Sequence, residues 1–130
     1  MNTPIPFEIE RLNVGNAMNL TSGIFTTPRA GTYFFSLSAI ADYVSGTGGD
    51  LRVALVLNGN HVGSTHTNRA TSLRAIETHS LQSTLHLEVG DKIWLIIWAN
   101  YNNNGIFYDD SFHYTHFTGW LLNEDISQFL

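Results

Sequence analysis

Gly23-Ile24-Phe25-Thr26-Thr27-Pro28-Arg29-Ala30-Gly31-Thr32-Tyr33-Phe34-Phe35 reads as a turn that feeds a strand. Pro28 holds φ at about −65° and Gly31 tolerates a positive φ, so the pair brackets a tight turn. Beyond Gly31 the side chains alternate. Tyr33, Phe35, Leu37 and Ala39 fall on one face, and Phe34 and Ile40 fall on the other beside Ser36 and Ser38. Bulk on both faces suits a strand inside a sandwich or at a subunit contact, and does not suit a half-wet sheet.

Strand and turn signals alternate on either side of this stretch. Phe7, Ile9 and Glu10 open an irregular first strand, and Gly15-Asn16 and Thr21-Ser22-Gly23 break the stretch between it and Ile24. The aromatic strand runs on to Tyr43, and residues 45–50 form a flexible polar loop. Leu51, Val53, Leu55 and Leu57 then share one face, and Asn58-Gly59 is the favoured type I′ hairpin pair. Residues 72–79 are weakly patterned, but 81–87 alternate sharply, Leu81, Ser83, Leu85 and Leu87 opposing Gln82, Thr84 and His86. After the Gly90-Asp91 turn, residues 93–99 are apolar on both faces. A polar loop is expected over 100–110, a closing strand over 112–122 and a short C-terminal tail over 123–130. No segment has a 3.6-residue period. The pattern predicts an all-β fold of about eight to ten strands in a Greek-key or jelly-roll sandwich, one domain over residues 1–130.

Charged residues are 13% of the chain and hydrophobic ones 43%, a thin coat of charge that leaves room for a surface covered by a partner. A formal charge of −5, with Lys92 the one lysine, argues against nucleic acid, whose binders cluster Lys and Arg. No apolar run approaches the roughly 18 residues of a membrane-spanning helix, so membrane insertion is not expected. Met1-Asn2-Thr3-Pro4 lacks the basic and apolar regions of a signal peptide. The chain is therefore expected to be either intracellular or a piece from which an export signal has been removed.

Taken in order, Phe7, Asn13, Phe25, Thr26, Pro28, Gly31, Tyr33 and Phe35, the Asn58-Gly59 hairpin, Leu85-x-Leu87-x-x-Gly90-Asp91 and Phe117-x-Gly119-x-Leu121 resemble a known family. That family is the globular head of complement C1q and its relatives, the C1q/tumour-necrosis-factor-like jelly rolls. Met18 and Leu37 stand where it prefers other large apolar side chains. The resemblance implies a ten-stranded jelly roll that is homotrimeric, secreted and non-enzymatic, often carried on a collagen or coiled-coil stalk. It implies a recognition domain that is pattern-recognising or lectin-like toward microbial or glycan ligands. The alternatives are a trimeric signalling ligand of tumour-necrosis-factor type and the structural head of an extracellular stalked protein.

Aromatic surface supplies an independent reason for self-association. Tyr33, Phe35, Trp94, Trp98, Tyr114 and Trp120 each bury about 150–250 Å² when covered, more than one small sandwich easily hides. A share of them is expected at a trimer contact.

The ligand-like stretch is the polar loop, with Tyr101, Asn102, Asn103, Asn104, Tyr108, Asp109 and Asp110 as candidate contacts. Asn and Asp pair with vicinal sugar hydroxyls, and Tyr stacks on a sugar's apolar face. Such residues also fill any long hairpin loop. No cofactor is required by this reading, although Asp109 and Asp110 could hold calcium, which prefers carboxylate oxygens. Asn19-Leu20-Thr21 is a glycosylation sequon, meaningful if the chain is exported.

Six histidines invite a zinc reading, but odd separations (His61 and His66, His79 and His86, His113 and His116) point to opposite strand faces. A pH sensor is the softer option, since protonating all six takes the formal charge from −5 to about +1. Enzyme motifs such as a P-loop, G-x-S-x-G or H-E-x-x-H are absent from the sequence.

Overall fold

Alternation along residues 31–43 sets the architecture of the chain. The computed structural model describes residues 18–19, 22–43, 49–69, 75–101, 105–108 and 115–125. Its strands are β1 (Met18–Asn19), β2 (Ile24–Thr26), β3 (Gly31–Tyr43), β4 (Gly49–Leu57), β5 (Asn60–Arg69), β6 (Ala75–Leu87), β7 (Lys92–Tyr101), β8 (Gly105–Tyr108) and β9 (His116–Glu124). They form two antiparallel sheets. The front sheet has the order β1-β2-β7-β4-β5, and the back sheet has β6-β3-β8, with β9 also on β3. Nine strands are present among the described residues; the first strand expected at residues 7–10 lies outside them.

β3 is the centre of the back sheet. β6 pairs with it along its whole length, and β9 and β8 share its other edge in tandem. The inward set is the one the alternation predicts: Tyr33, Phe35, Leu37, Ala39 and Ala41 are buried. They meet Phe25, Leu51, Val53, Leu55, Ile93 and Leu95 across the sandwich, and Phe117 of β9 beside them in the same sheet. Phe25 packs edge-on against Tyr33 and Phe35 at 5.7 and 5.4 Å between ring centres. Phe35 stacks on Phe117 at 5.9 Å. The Tyr33 hydroxyl donates to the Arg29 carbonyl at 2.7 Å, which satisfies the buried polar end of the ring.

Two turns at one end of the sandwich are clipped together. Asn58 and Gly59 have φ of 49° and 92°, as a type I′ hairpin requires. The Asn58 side-chain amide donates to Asp91 at 2.9 Å, and its oxygen accepts from the Lys92 amide at 2.9 Å. Asp91 also accepts from the Glu88 amide at 2.8 Å, and these hydrogen bonds, the Glu88 amide first, hold its carboxyl below the usual carboxylate range. The Gly90-Asp91 pair thus has a structural task, Gly90 supplying a φ of 91°.

Several expectations need correction. Gly31 is absent from the positive-φ residues; its role is close approach, because a Cβ there would collide with the Asn123 carbonyl oxygen. The closing strand starts at His116 and takes in Asn123 and Glu124, the first two residues of the expected tail. The Asp125 amide then donates to the Ala30 carbonyl at 2.8 Å. β6 is continuous from Ala75, so the weak patterning of 72–79 hid a strand. Its inward residue there is His79, fully buried opposite Ala39. Part of the expected 100–110 loop is strand as well: β7 reaches Tyr101, and β8 extends the edge of β3.

His79 lies 2.8 Å from the Thr67 hydroxyl, a link between the two sheets. Burial, ahead of the neighbouring His66 and against Glu77, pushes its imidazole down to about 4. It therefore stays neutral at mildly acidic pH, and the six histidines do not titrate together. The folded protein binds this proton less readily than the unfolded chain. Stability is thus intact above about pH 6.5 and falls as pH drops toward about 4, by up to ~3 kcal/mol from this residue. Replacing His79→Gln should flatten that part of the pH dependence, as urea midpoints between neutral and acidic buffer will show. In a separate test, Gly119→Ala would put a methyl 2.6 Å from Phe35 Cδ1. It should cost about 1–3 kcal/mol by denaturant unfolding.

Candidate functional site

The outward faces of the two sheets carry different chemistry. On the back sheet, Phe34 packs on Trp120 at 5.0 Å between ring centres. Trp120, Leu122 and Ile76 are all exposed there. Between these apolar ends lie Ser36, Ser38, Ser80, Gln82, Thr118 and His116 in register. The result is a flat face of small polar groups bounded by apolar side chains.

The outward face of the front sheet combines rings with charge. Ala54, Val56 and Ile96 are buried there, and the indoles of Trp94 and Trp98 pack against them. Next to this cluster, Asp50 receives both prongs of Arg52, Nε to Oδ1 and Nη2 to Oδ2, each at 3.0 Å. His66 Nε2 lies 2.8 Å from Asp50 Oδ1. Hydrogen bonding from Arg52 is the main reason the Asp50 carboxyl is held below the usual carboxylate range; His66 and Asn68 add to it against burial. Arg52 also sits over the Trp98 ring, 5.3 Å from its centre, a cation–π contact. His61 approaches the same ring at 5.9 Å.

Two β-bulges lie in this region, and the one in β5 brings His66 to Arg52. Val53 pairs with Ile97 but Arg52 with Ala99, so Trp98 is an extra residue in β7. Leu55 pairs with Gly63 but Val56 with His61, so Val62 is an extra residue in β5. The second bulge overturns the parity argument for one histidine pair: His61 sits opposite Val56 and His66 opposite Arg52, both on the outer face. Strict alternation would have separated them; one inserted residue brings them back. His79 and His86 do face opposite ways, partnered by Ala39 and Thr32.

The predicted site residues are dispersed. Tyr101 closes β7 opposite Asp50, and Tyr108 closes β8 opposite Ile40, so the two belong to different sheets. Asn102, Asn103, Asn104, Asp109, Asp110 and Tyr114 lie outside the described residues. Asn19 pairs with Ile24 in β1. Among the expected trimer contacts, Tyr33 and Phe35 are corrected: both are buried inside the sandwich because alternation points them at the front sheet. Trp94 and Trp98 lie on the outer face of the front sheet and Trp120 on that of the back sheet, so these rings do not share one surface. Among the described residues, no three His, Asp or Glu side chains come together as a metal site. Sequence patterning alone does not mark Asp50, Arg52 and His66 as a group. The available signal was Arg52 opposing the Leu51, Val53 and Leu55 face, with no cue that the bulge in β5 would bring His66 to it.

Known proteins share this architecture. A family model described as the C1q domain matches residues 1–122. Caprin-2 of Danio rerio is 30% identical over 125 residues, covering 96% of this chain and 13% of that protein. Complement C1q tumor necrosis factor-related protein 3 of Mus musculus is 31% identical over 124 residues, 95% of this chain and 46% of its own length. The chain therefore spans less than half of these relatives. Among solved structures, the globular domain of zebrafish complement 1qA protein superposes with a TM-score of 0.69 at 19% identity, covering 95% of this chain and 87% of that one. That likeness establishes the jelly-roll fold.

Removing the organiser of the polar cluster should be measurable. Asp50→Ala strips two charge-assisted hydrogen bonds from Arg52 and should cost about 1–3 kcal/mol in urea unfolding. In the parent protein this contribution is present above the ordinary carboxylate range and is lost as pH falls through the lowered Asp50 value. The variant should lack that acid limb.

Proposed function

The chain belongs to the C1q domain family, and from that membership we propose that it is the recognition head of a secreted, non-enzymatic protein that works as a homotrimer. The observation that carries the assembly is the back sheet's outer face, where Phe34 and Trp120 pack beside exposed Leu122. Apolar groups on a flat face with no second layer among the described residues favour burial against sister copies. The ligand is a microbial or other glycan. The Tyr- and Asn-rich stretch 101–104 and the Tyr108-Asp109-Asp110 run support this, having the hydrogen-bonding and stacking groups that sugars need. Asp109 and Asp110 are the candidate calcium ligands. Three heads in one assembly would turn weak single-site binding into useful avidity.

A second reading has its own support. Relatives named for both C1q and tumor necrosis factor favour a trimeric signalling ligand that engages a protein receptor. A glycan array probed with and without calcium separates the two readings. Lectin-like binding is competed by free sugar, and its loss in Tyr108→Ala or Asp109→Ala would assign it to the 101–110 stretch, whereas a receptor ligand ignores free sugar. For the assembly, light scattering should give a trimer mass for the parent protein and a monomer for Trp120→Glu. A folded parent protein that stays monomeric in dilute solution defeats the proposal.

A further inference from the structure

The Trp98 indole N–H is buried and has no hydrogen-bond partner among the described residues. Buried indole N–H groups normally find an acceptor, and leaving one unpaired is costly. This donor sits where the Asp50–Arg52–His66 cluster meets the two outward indoles, on a strand re-aimed by a bulge, a device common beside functional sites. We infer that the outer face of the front sheet, centred on Trp98, is a binding site for a neutral pyranose. This deepens the glycan-binding reading and rests on it, but it moves the primary contact from the 101–110 stretch to the sheet.

The chemistry of the face selects this ligand class. A pyranose has a patch of C–H groups on one side and hydroxyls around its rim. The half-buried ring of Trp94 offers flat apolar surface for the first, beside Trp98, whose ring already carries Arg52. His66 serves the second. Because the Asp50 carboxylate only accepts, the neutral imidazole must place its proton on Nε2, donating to Oδ1. Its Nδ1 is then an acceptor for a hydroxyl, on a side chain that is 46% exposed. The indole N–H supplies a complementary donor, reached after a small rotation of the ring or of the side chains covering it. Charge argues for a neutral sugar. The Arg52 cation is matched by Asp50 in a two-pronged pair, so the cluster has no surplus positive charge to draw a carboxylate or sulfate, on a chain whose formal charge is −5.

The test uses the intact assembled protein and methyl glycosides of neutral hexoses. Proton–nitrogen correlation spectra give each indole N–H its own resonance. A bound glycoside should move the Trp98 resonance and leave that of Trp120, on the other sheet, in place. His66→Ala, a change at a half-exposed side chain, should weaken binding about tenfold. Trp98→Phe keeps a ring and removes the N–H, and should weaken binding to a similar degree. If glycosides bind both variants as tightly as the parent, the site lies elsewhere and the inference falls while the glycan reading stands. Binding confined to acidic glycans and lost in salt also overturns it. If no glycoside binds at millimolar concentration, the inference and the glycan reading fall together.

Discussion

The packing of Phe25, Tyr33, Phe35 and Phe117 between the sheets is the contact on which the rest of the structure depends. Because Phe35 lies flat against β9, position 119 has no room for a side chain. Because Tyr33 is buried, its hydroxyl must find a partner, and it takes the Arg29 carbonyl. Burial, which outweighs the Arg29 contacts, raises the Tyr33 phenol above its ordinary value and keeps it a neutral donor. The turn so anchored contains Thr27, whose amide and hydroxyl both donate to the Asp91 carbonyl. Asp91 in turn holds Asn58 and the hairpin at the same end of the sandwich. One aromatic layer thus reaches, through a chain of satisfied polar groups, into two turns far apart in sequence.

With the interior filled by one residue in two, the outward positions are released from packing and carry the chemistry. The back sheet presents Phe34, Trp120 and small hydroxyls, a surface suited to a flat contact with another protein layer. The front sheet presents two indoles beside a matched ion pair and two histidines. Aromatic surface therefore occurs on both sides of the molecule for different reasons. Together with the low charge content, this accounts for a sequence that looks too greasy for a lone domain while packing an ordinary core.

Much of the sandwich is legible in the residues. The inward and outward sets of β3, the apolar face of β4 and the Asn58-Gly59 hairpin all follow from a two-residue period and local turn chemistry. Gly31 misleads because a glycine that frees φ and a glycine that makes room look identical in sequence. His79 hides a strand because a polar residue on the buried face breaks the apolar alternation, and its hydrogen bond to Thr67 arrives from the other sheet. Residues 105–108 read as loop because four residues on the edge of a longer strand show too little pattern to register.

The candidate site is far less legible than the fold. Alternation counts residues along one strand, so a single bulge inverts every assignment beyond it, and bulges are set by what the neighbouring strand demands. His61 and His66 share a face for that reason, through the bulge at Val62. The sequence by itself determined the local terms: which segments extend, where they turn, and which side chains within an unbroken strand share a side. Only the tertiary structure decided which strands lie together and where their registers slip, because pairing energy is gained between residues distant in the chain. That is why the aromatic core could be read from 13 consecutive residues, while Asp50, Arg52, His66 and Trp98 became a cluster only once three strands were laid side by side.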